Sequence, residues 1–235
     1  MADFAAAQIL PGMRLGLGSG RMASALVRAL GARVREGLQV EALCTSRRTE
    51  ALAREAGVRV IGASAGQLDL DLDGADQFDR SLNLLKGGGG ALLREKVVAR
   101  ASRRFWVLAD PGKRVARLAR DRALPVEVLP FDWLGTAALC RAELGCQTQL
   151  RSAGEQPWIT DNGNYILDLE FRDPPPPARV AARLEALPGV LGHGLFLALA
   201  TAALLSDGER LQILGDLEAT RPAAAGLSPP GVGGG

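Results

Sequence analysis

Asp73, Asp76, Lys86 and Glu95 fall within one stretch of the chain, and together they offer proton-transfer chemistry. Carboxylates and a lysine in one neighbourhood suit acid–base work, in which a carboxylate takes up and gives back a proton. Four glycines, Gly87 to Gly90, stand between the lysine and the glutamate, and without a Cβ they let the backbone lie against a ligand. A second glycine turn, Gly16-Leu17-Gly18-Ser19-Gly20, joins an apolar run to a helical pattern. That is the setting in which backbone N–H groups approach an anion at a helix N-terminus. Each feature also has a bland reading: a turn that only permits tight packing, or a helix-start glutamate that complements the helix dipole.

Two neighbouring patterns imitate other sites. The dinucleotide fingerprint G-x-G-x-x-G needs glycine at position 21, where Arg21 stands, and no acid ends the second strand. Ser46-Arg47-Arg48 occupies that place, which keeps an NADP site open as an alternative. Asp69-x-Asp71-x-Asp73-Gly74 matches the first half of a calcium loop, but the acid required at its twelfth position is Arg80. Leu68, Leu70 and Leu72 alternate as a buried strand does, so this segment is expected to deliver Asp73 and Asp76 to a strand's carboxyl end.

Composition narrows the chemistry further. The 235 residues suit one large domain or two small ones, and 47% hydrophobic with 23% charged residues is ordinary for a folded globular protein. Lysine plus arginine number 28 against 26 acids, a net charge of +2, so no nucleic-acid partner is expected. No apolar run approaches the ~18 residues that span a bilayer, so no membrane partner is expected either. MADFAAAQILPG carries Asp3 and no basic segment, unlike a signal peptide. Cys44, Cys140 and Cys146 form no C-x-x-C pair, which argues against zinc and against a disulfide framework and for reduced cytoplasmic thiols. The one histidine, His193, removes multi-histidine metal sites and leaves acid–base work to carboxylates and lysines; a packing or interface role suits it better.

The elements that must position these residues alternate. Strands are expected at Met13–Leu17, Val40–Cys44 and Val58–Ile61, with a helix carrying Met22, Leu26, Leu30 and Val34, and another from Thr49 to Ala56 capped by Thr45-Ser46. A helix at Ala91–Ala101 and a strand at Phe105–Ala109 follow. Beyond Pro125 and Pro130 the pattern changes to a helix at Trp133–Leu144, strands near Gln147–Leu150 and Tyr165–Phe171, and a helix at Ala178–Leu187. Short strands at Ala200–Leu205 and Leu211–Leu214 return the chain before the tail RPAAAGLSPPGVGGG. The fold class expected is α/β: a Rossmann-like, mostly parallel sheet domain over residues 1–127, completed by 193–220, with a smaller α+β lid subdomain over 128–192 and a disordered tail at 221–235.

Taken in order, these segments resemble ribose-5-phosphate isomerase of the A type. The resemblance is carried by GLGSG at Gly16–Gly20, TSRRTEALAREAG at Thr45–Gly57, DGAD at Asp73–Asp76, KGGGGALLREK at Lys86–Lys96, LADPGK at Leu108–Lys113, LPVEVLPF at Leu124–Phe131, TDNGNYILD at Thr160–Asp168 and PGVLGHGLF at Pro188–Phe196. It implies reversible conversion of D-ribose 5-phosphate to D-ribulose 5-phosphate in the non-oxidative pentose phosphate pathway. It also implies a small sugar phosphate as partner, no metal or organic cofactor, a cytoplasmic setting and assembly as a homodimer or homotetramer.

Residue by residue, Glu95 matches the family's catalytic base, and Asp73 and Asp76 match acids that contact sugar hydroxyls and assist ring opening. Lys86 matches the lysine beside the substrate oxygens. Gly87, Gly88 and Gly89 match the loop that cradles substrate, with Gly74 and Ala75 of DGAD beside it. Lys113 matches a further substrate-contacting lysine, and Ser19, Gly20, Arg21 and Met22 match the loop at the phosphate end. Arg21 and Met22 depart from the family's serine and threonine; an arginine can bind phosphate bidentately, whereas a methionine offers only its backbone. The chain also has no lysine before Lys86, where many relatives carry one near the substrate. A silent sugar-phosphate-binding protein on the same fold, an NADP oxidoreductase and an isomerase of another sugar phosphate stand as the alternatives.

Overall fold

The computed structural model describes residues 1–62 and 66–222. In chain order its elements begin α1 (Ala2–Ala7), β1 (Arg14–Leu17), α2 (Gly20–Arg35), β2 (Glu41–Cys44), α3 (Arg47–Glu55), β3 (Arg59–Val60) and β4 (Leu68–Gly74). Next come β5 (Gln77–Phe78), β6 (Leu84–Leu85), α4 (Leu92–Ala101), β7 (Ser102–Ala109), a 3-10 turn at Pro111–Lys113 and β8 (Leu124–Val128). Then α5 (Trp133–Leu144), β9 (Gln147–Leu150), β10 (Ser152–Ala153), β11 (Gln156–Pro157), β12 (Tyr165–Glu170) and α6 (Pro177–Glu185) follow. The series closes with β13 (Val190–His193), β14 (Leu195–Phe196), β15 (Ala202–Ser206) and β16 (Leu211–Gly215).

The chain divides into two compact units. The first holds Met1–Gly74, Arg94–Pro111 and the residues from Leu199 on. Among the described residues it forms a seven-stranded sheet in the order β16-β15-β7-β4-β1-β2-β3, parallel throughout except for the antiparallel edge strand β16. β4 is central, and both its faces are covered: Leu68, Leu70 and Leu72 are fully buried, and Asp71 and Asp73 are buried on the opposite side. That double burial is what parallel sheets impose. α2 packs Leu26, Val27 and Leu30 into a core with Leu15, Leu17, Leu70, Leu72, Trp106 and Leu204. α3 begins at Ser46, whose hydroxyl accepts from the Thr49 N–H at 3.1 Å, as its serine–threonine start predicts.

Successive strands leave β1 in opposite directions, β2 and β3 to one side and β4 to the other. The carboxyl ends of β1 and β4 are therefore a topological switch point, where open α/β sheets hold ligands. α1 was not expected. Its alanines favour helix, and Ala5, Ala6 and Ile9 join the core while the Arg33 guanidinium donates to the carbonyls of Ala6 and, at 2.7 Å, Ile9.

The second unit holds Ala75–Leu93 and Gly112–Ala198. A four-stranded antiparallel sheet, β13-β8-β12-β9, packs Val126, Val128, Leu167 and Leu169 with Ala137 and Cys140 of α5 and Val180 and Leu184 of α6. α5 matches its predicted bounds because its ends are well marked: Asp132 accepts from the Gly135 N–H at 3.2 Å, and Gly145 turns left-handed at φ +63°. This unit is wider than the expected 128–192. β5 and β6 pair with β14 in a three-stranded sheet, and β8 is an inner strand despite Pro125, which sits near its start and still accepts from the Gly194 N–H at 2.8 Å.

The expected tail needs a correction at its first residue. The Arg221 N–H donates to the Arg103 carbonyl at 2.8 Å, and its guanidinium donates to the carbonyls of Ala99 and Ser102 at the end of α4. A cation at a helix C-terminus is favoured by the helix dipole. Residues 223–235 of the expected tail lie outside the described residues.

Candidate active site

Two groups of side chains form, one within each unit. In the first unit the turn after β1 and the end of β4 are fastened together by Asp73. Its Oδ1 accepts from the N–H of Ser19 at 3.0 Å and of Gly74 at 2.7 Å. A Cβ on Gly18 would sit 1.9 Å from the Asp73 carboxyl carbon, so the second glycine of GLGSG is required by the packing of this acid. Asp73 is only 1% exposed.

Glu95 lies in the first turn of α4 and is buried. The Ser19 hydroxyl donates to its Oε1 at 2.5 Å. Ser19 is the N-cap position of α2 but makes no side-chain cap bond there, because its hydroxyl is turned to Glu95 instead. Gly20 is exposed with φ +86°, a conformation glycine permits, and Arg21 is exposed beside it. Met22 packs against the core, leaving only its backbone for a ligand. Ser19, Asp73, Gly74 and Glu95 are thus brought together, with Gly20 and Arg21 on the open side.

In the second unit Asp76 and the glycine turn meet. Asp76 Oδ2 accepts from the Gly88 N–H at 2.8 Å, and its side chain is 25% exposed. Gly87 (φ +104°) could not carry a Cβ, which would fall 2.9 Å from the Leu92 side chain. Gly88 and Gly89 are exposed. Lys86 is buried, with its ammonium 5.5 Å from the centre of the Phe196 ring and its N–H on the Gly194 carbonyl at 2.8 Å. Lys113, in the 3-10 turn, donates from Nζ to the Ala75 carbonyl at 2.5 Å and so fixes the second half of DGAD.

The sequence weighs Asp71 only as part of the calcium pattern and does not announce the pairing of Arg151 with Asp168. Asp71 is fully buried on β4, where the alternation with leucine implied only a strand. Arg151 and Asp168 form a forked ion pair, Nη2 to Oδ1 at 2.5 Å and Nε to Oδ2 at 2.8 Å, and the same guanidinium reaches the glycine turn. Asp168 is the last residue of TDNGNYILD, so its motif was noticed but its partner was not. His193 is buried on β13 with Nδ1 accepting from the Leu195 N–H at 3.2 Å, a local packing role. The calcium reading fails on geometry: Asp69, Asp71 and Asp73 lie along a strand, and Asp69 accepts from the Arg14 N–H at 2.8 Å.

A buried Asp73 fixed by two backbone N–H groups and a buried Glu95 held by a serine hydroxyl thus lie at the switch point of a parallel sheet, where open α/β proteins hold their ligands. Residues 41–210 match the model of the family described as ribose 5-phosphate isomerase A (phosphoriboisomerase A). Ribose-5-phosphate isomerase A of Cereibacter sphaeroides is 44% identical over 96% of this chain and 95% of its own. Ribose 5-phosphate isomerase from Plasmodium falciparum superposes with a TM-score of 0.87 at 30% identity, covering 92% of this chain and 96% of that one. A D-ribose-5-phosphate isomerase solved in complex with phospho-erythronic acid gives 0.86 at 30% identity, with 92% and 96% covered. This chain belongs to the ribose 5-phosphate isomerase A family.

Proposed function

We propose that this chain interconverts D-ribose 5-phosphate and D-ribulose 5-phosphate by proton transfer through an enediolate, in the non-oxidative pentose phosphate pathway. The observation that carries the reading is Glu95: a buried carboxylate at the start of a helix, held in one orientation by the Ser19 hydroxyl. One fixed carboxylate can take the proton from one sugar carbon and return it to the next. Lys86 and the N–H groups of the glycine turn supply the positive potential for the enediolate oxygens.

Asp76 and Asp73 differ in reach. Asp76 is partly exposed and is the acid assigned to the sugar hydroxyls and ring opening. Asp73 is closed in and contributes chiefly by fixing the Gly18–Ser19 turn, and through it the serine that holds Glu95. Lys113 steadies Ala75 of DGAD. The phosphate is assigned to the N-terminus of α2 beside Ser19, through the backbone of Gly20 and Met22 and the exposed guanidinium of Arg21.

The same reading takes the protein to be cytoplasmic, to act on a small sugar phosphate without nucleic acid or membrane, and to assemble as a homodimer or homotetramer. Among the described residues no helix is long and apolar enough to cross a membrane. By the same reading phospho-erythronic acid, seen bound in a relative, is expected to compete with ribose 5-phosphate here. The mechanism is tested by running the reaction in D2O. The proton in transit sits on the Glu95 carboxyl and exchanges there with solvent in a fraction of passages, so deuterium is expected to accumulate at C1 of ribulose 5-phosphate as the reaction is held at equilibrium. No deuterium at that carbon after many forward and reverse passages would mean direct hydride transfer and overturn the proposal.

A further inference from the structure

Arg151 follows β9 and Asp168 lies on β12, paired across the ladder with Gln149. The Arg151 N–H donates to the Ile166 carbonyl at 2.8 Å, which fixes its backbone. Asp168 accepts from two of the guanidinium's nitrogens along one edge, and the third nitrogen, Nη1, donates to the carbonyls of Gly87 at 2.7 Å and Gly88 at 3.2 Å. Both charged side chains are mostly covered, 16% and 22% exposed. An ion pair so shielded from solvent holds a single geometry, unlike an exposed one.

In a trans peptide the N–H points opposite to the C=O. With the Gly87 carbonyl turned to Arg151, the Gly88 N–H must face the other way, and there Asp76 accepts it at 2.8 Å. The Gly88 carbonyl is also turned to Arg151, so the Gly89 N–H is aimed to that same side, at the exposed tip of the turn. A guanidinium on each carbonyl also polarises the peptide and makes its N–H a stronger donor.

We propose that Arg151, oriented by Asp168, is a positioning residue that aims and polarises the N–H groups of Gly88 and Gly89, making the Gly89 N–H a donor to the substrate's developing oxyanion. The role rests on the isomerase reading above. Arginine is needed because a lysine ammonium cannot fork onto Asp168 and still serve two carbonyls in a fixed plane. The donors act on charge that grows in the transition state, so their loss falls on kcat rather than KM.

The test uses the full chain, with wild type, Arg151→Met, Arg151→Ala and Asp168→Asn assayed side by side on ribose 5-phosphate. Arg151→Met is expected to lower kcat by about 100-fold, the loss typical of one oxyanion donor, with KM changed less than about threefold. Asp168→Asn, which keeps the shape but loosens the fork, is expected to lower kcat by about tenfold. Millimolar guanidinium is expected to restore part of the kcat of Arg151→Ala and to leave wild type unchanged. A merely structural brace would instead lower melting temperature and raise KM without rescue, and that result overturns the role. Full kcat in folded Asp168→Asn and Arg151→Met with an active wild type would overturn it while leaving the isomerase reading intact. An inactive wild type would remove both.

Discussion

Ser19 and Glu95 share a hydroxyl–carboxylate hydrogen bond of 2.5 Å between the turn after β1 and the first turn of α4. The serine is placed for it because Asp73 Oδ1 holds the Ser19 N–H from below. The chain of dependence runs from a buried acid on the central strand, through one backbone N–H, to the side chain that orients the proposed base.

Ser19→Ala therefore addresses the base directly. A hydrogen bond to a charged group is worth about 1.5–3 kcal/mol. Its loss is expected to lower kcat for ribose 5-phosphate by about tenfold or more, at about 1.4 kcal/mol per factor of ten. Ser19→Thr, which keeps the hydroxyl, is expected to retain most of the rate. A raised KM at unchanged kcat would instead give the hydroxyl to the phosphate.

Gly18→Ala should damage the same arrangement from the backbone side. The new methyl would stand 1.9 Å from the Asp73 carboxyl carbon, so turn or strand must move. Overpacking of this kind costs about 1–3 kcal/mol, sometimes more. A drop in urea midpoint together with lost activity is expected. Gly62→Ala is the control: among the described residues nothing lies within 4 Å of its added Cβ, and stability is expected within about 0.5 kcal/mol of wild type.

Glu127 makes a prediction about the second unit alone. It is fully buried on β8, and its Oε1 accepts from the Thr160 hydroxyl at 2.9 Å and the amides of Asn162 at 3.0 Å and Asn164 at 2.8 Å. Thr160 Oγ1 in turn accepts from the Asn164 N–H at 3.1 Å, so the turn is folded around this carboxylate. Glu127→Leu leaves those donors without their acceptor and is expected to cost about 1–3 kcal/mol by urea denaturation. Glu127→Gln, which keeps an acceptor oxygen, is expected to cost less. Equal losses for the two would show that the oxygen is not what holds the turn.

These networks mark where the sequence was readable. GLGSG, DGAD and the glycine run are local, and their glycines signal close approach without knowledge of the fold; Asp73 against Gly18 and Leu92 against Gly87 supply the reasons. α5 was legible to the residue because Asp132 and Gly145 punctuate it. β8 was not read as a strand, since Pro125 counts against one and only the pairing with β12 and β13 overrides it. The pairings of Arg151 and Glu127 are not legible for another reason. Their partners are brought to them by antiparallel registers and a folded turn, and no spacing in the chain announces such pairs. Ser19 was read as a phosphate contact, and its bond to Glu95 depends on the placement of α4.

The thiols give a pH prediction. Burial pushes the Cys44 thiol up to about 12, with Glu50 adding to the rise and Arg54 opposing it. Burial likewise pushes Cys140 up to about 11, with Cys146 adding to it. Raised folded values mean that the native state keeps protons the unfolded state releases above about pH 8.5, so stability falls as pH rises from there through about 11 to 12. Urea midpoints at pH 8 and pH 10 should show this fall, and Cys44→Ala should lessen it. The native thiols are also expected to alkylate slowly at pH 8. Rapid labelling of the folded protein would contradict the burial.

The central claim is that Glu95 moves the proton. Its most direct test is ribose 5-phosphate turnover by wild type and Glu95→Gln, both treated with EDTA, with binding and folding of the variant checked alongside. The amide keeps the shape and can still accept from Ser19, but it cannot take a proton from carbon. Removing such a base is expected to cost about 100- to 10,000-fold in kcat, in a variant that still folds and binds substrate. Equal turnover by the two proteins would contradict the account.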